Sequence, residues 1–172
     1  MILSGVGGSV VRMVPPEYLV ATAAERPMLE KWLDVFRDTV VSKIDGLSEA
    51  DIRRRLVPSL TTVGGVVKHL RWVETGWFEQ LLGARSGDSR RAHDRDWEFV
   101  PQPDDTAASL VADYRAACAR SRVAAGPFAL DDVVPHHSMG QVSVRWIFVH
   151  LIEETARHAG QLDILREQLE VS

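Results

Sequence analysis

Cysteine is almost absent: Cys118 is the only one in 172 residues. A single thiol closes no disulfide within the chain and removes every zinc motif built on cysteine pairs, which fits a reducing, cytoplasmic setting. Dense basic blocks are missing too. Twenty lysines and arginines stand against 24 aspartates and glutamates, a formal net charge of −4. The chain thus lacks the electrostatic footprint of a nucleic-acid-binding protein. Arg53-Arg54-Arg55 is the strongest basic run, and three charges in a short helical segment read as a solvated face. No apolar run approaches the roughly 18 residues of a membrane span. Met1 to Val14 is glycine-rich and has no basic region ahead of a long apolar core, so it does not read as a signal peptide. Residues 1–23 are expected to be a flexible leader, with Met13 an alternative start, and residues 24–172 a single domain large enough to bury a full core.

Sustained two-residue alternation is also lacking, and a helical period takes its place. Leu29, Leu33, Phe36, Val40, Ile44 and Leu47 form one stripe, on a first helix expected from Glu25 to Leu47. Gly46 and Ser48 end it, and Ser48-Glu49-Ala50-Asp51 has the capping-box pattern for a short helix closed by Pro58. A second helix is expected from about Thr62 to Leu82 on Val66, Leu70, Val73, Trp77 and Leu81, with His69 on the same inward face. Gly64 and Gly65 in its first turn imply either fraying or the close approach of a neighbouring element. Gly83 to Asp104 is polar, arginine-rich and without period, a long loop that Trp97, Phe99 and His93 provide with packing groups. A third helix runs from Asp105-Thr106 to about Val123 and stops at Gly126-Pro127. A second loop, Phe128 to Gln141, leads to a fourth helix capped by Ser143 and reaching about Leu169. The fold class expected is all-α: a four-helix bundle with long loops between helices 2 and 3 and between helices 3 and 4.

The chemistry concentrates on the fourth helix. Residues four apart share a side of a helix, so Glu154 and His158 project together, on the side of Leu151 and Leu162, while Glu153 points away. An unpaired buried carboxylate is costly. A divalent metal explains its presence, and bundles build such sites from side chains on facing helices. His69 of the second helix is the third candidate ligand. Two histidines, one carboxylate and an open position make a catalytic type of zinc site; nickel, iron and manganese accept the same donors. The plainer alternative is a hydrogen-bonded core in which Glu154 pairs with Arg157, His69 or His150. His150 lies one turn before Glu154 and is an alternative third ligand, but three ligands spread over about 12 Å of one helix cannot all reach one ion. It is placed instead behind the ligands, donating an N–H to the carboxylate.

Other motifs are weaker. Ser138, His136 and Asp132 crowd one loop without a nucleophile elbow, and His136-His137 reads as an exposed loop pair. Trp72, Trp77 and Trp146 read as core and interface aromatics, with a substrate wall as the alternative role. Cys118 reads as a small core residue.

The segments Leu60-Thr61-Thr62-Val63-Gly64-Gly65-Val66-Val67-Lys68-His69-Leu70, Val73-Glu74-Thr75-Gly76-Trp77-Phe78 and Val144-Arg145-Trp146-Ile147, the last continued by Ile152-Glu153-Glu154-Thr155-Ala156-Arg157-His158-Ala159-Gly160, resemble the DinB-like superfamily. The resemblance covers nearly all of the chain from Ala24 to Leu169. Within that superfamily the chain is most similar to the branch known as DUF664, with its mycothiol-dependent maleylpyruvate isomerases and thiol S-transferases. The resemblance implies a four-helix bundle holding zinc or nickel, with a histidine at the position of His69 and two ligands four apart at Glu154 and His158. Relatives often read His-Ala-Gly-His where this chain has His158-Ala159-Gly160-Gln161, so Gln161 neither ligates nor titrates, though it can donate a hydrogen bond beside the pocket.

The function expected from the resemblance is metal-dependent thiol S-transfer, in detoxification or an isomerase-like reaction. The metal activates a low-molecular-weight thiol, mycothiol by implication, towards a small electrophile. Arg71, Arg145 and the arginines between 84 and 95 are candidate partners for the thiol's polar groups, although solvated surface roles suit most of them. A non-catalytic metal- or ligand-binding bundle and a metal-dependent hydrolase are the alternatives. The sequence is compatible with a homodimer.

Overall fold

The computed structural model describes residues 15–83 and 96–170. The expected leader up to Val14, and the arginines and His93 of the 84–95 loop, lie outside the described residues. Pro16–Val20 forms a 3-10 turn ahead of the bundle. The four long helices are α1 (Glu25–Ile44), α2 (Val63–Glu74), α3 (Ala107–Ala125) and α4 (Val144–Glu170). Local chemistry sets their ends. Gly46, at φ 72°, turns the chain out of α1, a conformation glycine adopts without steric penalty. Thr62 caps α2 by accepting from the Gly65 N–H at 3.0 Å, and Thr106 and Ser109 form a reciprocal capping box on α3. Ser143 accepts from the Trp146 N–H at 3.1 Å and starts α4.

Two findings differ from the periodicity. The second helix does not run evenly to Leu82: at Thr75–Gln80 it widens into a π-helical turn, which rotates the following residues relative to an α-helix and buries Phe78. The loop before α4 contains a hairpin of β1 (Val133–His136) and β2 (Gly140–Ser143), paired antiparallel from Val133 with Ser143 to His136 with Gly140. Four-residue strands are too short to display alternation, and β1 includes Pro135, so the pattern is invisible in sequence.

The polar ties reveal the directions of the helices. Arg145 at the start of α4 bonds Glu25 at the start of α1 at 2.7 Å. Lys43 at the end of α1 pairs with Asp163 near the end of α4 at 2.5 Å. The two helices therefore run parallel. Gly64 lies against Leu110 near the starts of α2 and α3, and Ser121 donates to the Glu74 carbonyl near their ends at 3.4 Å; this pair is parallel as well. A parallel neighbour needs a crossover that returns the full length of the bundle, and this accounts for the long connection between α2 and α3. Its described part, residues 96–106, lies along the first half of α2, where Lys68 Nζ bonds the Val100 carbonyl at 2.9 Å. Covered on all sides, α2 buries every residue except Arg71. Gly64 and Gly65 are there for close approach: a Cβ on Gly65 would sit 2.1 Å from the Phe99 carbonyl oxygen, and one on Gly64 2.9 Å from that of Ile52.

The apolar core is in two parts. One joins Val40, Ile44, Val66, Leu70, Tyr114 and Leu162; the other joins Leu33, Val73, Phe78, Ile147, Phe148 and Leu151. Between them, along α1, α2 and α4, lie buried polar residues: Arg37, His69, Glu74, Glu154 and His158. Arg53, one of the basic run, is not merely solvated: it bonds the carbonyls of Gln102, at 2.9 Å, and Asp105 and so ties down the crossover.

Candidate metal centre

Burial brings His69, Glu154 and His158 together from α2 and α4. Each is less than one-tenth exposed, and one ligand atom from each lies within 4.8 Å of the others. Both imidazoles turn Nε2 to the same carboxylate oxygen. His69 Nε2 is 3.2 Å from Glu154 Oε1, and His158 Nε2 is also 3.2 Å from it. The rings meet edge to face with centroids 4.8 Å apart. The other carboxylate oxygen, Oε2, is taken by the Arg157 guanidinium, while Glu153 is exposed and pairs with Arg157.

The outward nitrogens also face side chains. His158 Nδ1 is 2.8 Å from Gln161 Oε1, so the amide oxygen accepts from the ring. His69 Nδ1 is 3.2 Å from Glu98 Oε2, and Phe99 stacks on the His69 ring at 4.3 Å and 18°. Burial, with His69 as a neighbour second, pushes the His158 pKa down to about 4, so its imidazole is neutral at pH 7 and keeps a lone pair.

This donor set fits a divalent cation. The ligand atoms of His69, Glu154 and His158 lie within 4.8 Å of one another, and two imidazole nitrogens with one carboxylate oxygen are a donor set of the zinc and nickel type.

His150 departs from its expected place. Its ring stacks on Trp146 at 4.9 Å and meets Trp77 edge-on at 4.7 Å, and no bond to Glu154 is formed. Glu98, beside His69, is not legible in the sequence because it lies in an aperiodic segment; its one signal is an acid between Trp97 and Phe99, the aromatics expected to pack that loop.

The remaining candidates fall outside the cluster. His136 Nδ1 lies 3.4 Å from Ser138 Oγ while its ring stacks on Trp77 at 5.0 Å, but Asp132 accepts from the Ala129 N–H at 2.7 Å rather than pairing with His136, so the three do not form a relay. Arg145 is engaged by Glu25 and Asp131, and Arg71 lies over the Trp72 ring at 3.9 Å. Trp72 is buried against Trp97. Burial, reinforced by the charge of Glu74, pushes the Cys118 thiol up to about 12, which makes it inert. A cavity of about 270 Å³ is lined by Glu30, Asp34, Arg37, Phe78, Arg122 and Phe148 among others. It lies away from the histidines, and its charged groups already pair with one another or with Arg26 and Glu74.

Fold and cluster together define a DinB-like bundle. The chain is similar in structure to a DinB-like protein from Bacillus cereus ATCC 10987, with a TM-score of 0.62 and 17% identity over 82% of this chain and 92% of that one. It is also similar to a conserved protein from Enterococcus faecalis, with a TM-score of 0.61 and 13% identity over 88% of this chain and 100% of that one. The mycothiol-S-transferase family profile matches residues 28–171, and the chain belongs to that family. No curated protein matches its sequence. Among the described residues no helix is long and apolar enough to cross a membrane.

Proposed function

We propose that this chain is a metal-dependent thiol S-transferase, acting in detoxification or an isomerase-like reaction, with mycothiol as the thiol. The observation that carries the reading is the convergence of His69 Nε2 and His158 Nε2 on one oxygen of Glu154. Membership of the mycothiol-S-transferase family supports the thiol. His69, Glu154 and His158 hold the metal, with zinc or nickel best suited to the donors. A divalent ion bound there supplies the Lewis acidity that makes a thiolate available at neutral pH.

The protein's own residues prepare that site. Arg157 neutralises the outer oxygen of Glu154 and leaves Oε1 facing inward. Gln161 accepts from the outer nitrogen of His158, so the Nε2 lone pair of that ring is presented inward. Burial of all three side chains limits competing water and strengthens every local charge interaction.

The test is metal content measured together with thiol transfer to an electrophile. Purified protein should hold about one ion per chain, and His69→Ala should lose both the ion and at least about 100-fold in transfer rate, the several kcal/mol that a Lewis acid contributes. Protein without stoichiometric metal sinks the enzyme reading. Metal without metal-dependent transfer leaves a binding bundle.

A further inference from the structure

The crossover between α2 and α3 passes directly over the candidate metal centre, and one side chain on it has no role in the function assigned so far. Glu98 is 6% exposed, in a 3-10 turn of three residues, Trp97–Phe99. Its Oε2 stands 3.2 Å from His69 Nδ1, on the far side of the ring from Glu154.

We propose that Glu98 is a positioning residue for His69: its carboxylate takes the Nδ1–H and so turns the Nε2 lone pair towards Glu154 and His158. The inference rests on the metal reading above and adds to it the residue that sets ring orientation and tautomer. Three further contacts show a segment built to stay in place. Phe99 stacks flat on the same ring, which restrains its rotation. Lys68, one residue before the histidine, holds the turn from beneath, through the Val100 carbonyl at 2.9 Å and the Trp97 face at 3.9 Å. Gly65, one helical turn earlier, leaves room that no other residue would, since any Cβ would strike the Phe99 carbonyl. The Nδ1 to Glu98 approach lacks the alignment of a full hydrogen bond; such contacts commonly tighten once the opposite nitrogen is engaged.

Carboxylates behind metal-bound histidines fix the tautomer and raise the basicity of the ligating nitrogen, and losing one lowers metal affinity about 10- to 100-fold. The experiment is zinc affinity of the full chain by competition with a chromophoric chelator, for wild type, Glu98→Ala and Glu98→Gln. It is read with histidine ¹⁵N–¹H spectra of the zinc-loaded protein, assigned using His69→Gln. Wild type should show a slowly exchanging Nδ1–H of His69. Glu98→Ala should bind zinc about 10- to 100-fold more weakly and lose that protected proton. Glu98→Gln keeps an acceptor oxygen and should recover most of the affinity, a rescue that mere packing damage would not give. A native-like Glu98→Ala with zinc affinity within about twofold of wild type overturns the proposal. So does a wild-type His69 Nδ1–H in fast exchange, a measurement that holds even if the alanine variant fails to fold. If wild type binds zinc and Glu98→Ala is unaffected, only the positioning role falls; if wild type binds none, the metal reading falls and takes this inference with it.

Discussion

His69 and Glu74 are both buried on helix α2, and their surroundings could hardly differ more. Glu74 meets Arg37 in a two-pronged pair, Nε to Oε1 at 2.7 Å and Nη2 to Oε2 at 2.6 Å. Burial alone would lower the Arg37 pKa, but the charge and hydrogen bonds of Glu74 outweigh it and raise it. Each carboxylate oxygen faces its own N–H, and Asp34 adds a second acceptor for the guanidinium. At His69, ring nitrogens from two helices turn to one carboxylate oxygen, and the outer nitrogen of the same ring faces another acid. The Glu74 group is a closed pair. The His69 group brings three ligand atoms to a common point. The difference teaches that burial of charge does not by itself mark a functional site; the sign is the convergence of ligand atoms from separate helices.

Breaking the closed group has the largest expected effect. Arg37→Ala leaves Glu74, 1% exposed, as an unpaired buried charge, and should cost about 3–5 kcal/mol of stability in urea unfolding. The zinc affinity of the protein that remains folded should be unchanged, because His69 and Glu74 share no partner. A loss below about 1 kcal/mol would show that Glu74 is not held as the geometry implies.

The open group should respond to metal instead. Zinc at 100 times its dissociation constant should stabilise wild type by about 2.7 kcal/mol, read as a rise in thermal midpoint. Glu154→Gln should show no rise, and Arg37→Ala should keep it. An equal rise in Glu154→Gln would remove Glu154 from the ligand set.

Acid acts on the metal-free protein through His158. The fold holds His158 unprotonated down to about 4, whereas the unfolded chain takes its proton near the ordinary 6.5. Between those values the unfolded state binds more protons, so this histidine's contribution is present above about pH 6.5 and is lost as pH falls towards 4. Metal-free His158→Gln should be less acid-sensitive than wild type over that window. Identical pH dependence in the two would show that His158 is not the group responsible.

The amino-acid pattern by itself determined the helices and half of the centre. Apolar residues at 151 and 162 place Glu154 and His158 inside, because helical geometry is local and repeats with a fixed period; both are buried. His69 was legible from Val66 and Val73 on the same grounds. Two local readings needed the structure to choose between alternatives. The glycines of α2 serve close approach and not fraying, since the Phe99 carbonyl fills the space above Gly65. His150 turns to Trp77 and Trp146 rather than to Glu154, a choice between neighbours that helical spacing does not make.

Tertiary structure alone decided that Glu98 reaches His69 and that Glu154, 85 residues from His69 in sequence, faces it across the bundle. Periodicity fixes which side of a helix a residue is on, but not which neighbour that side meets. The neighbour follows from the two parallel helix pairs and the crossover they require. The described part of that crossover, residues 96–106, has no period of its own and takes its course from the surface it lies on, the Gly64–Gly65 notch and the Lys68 side chain.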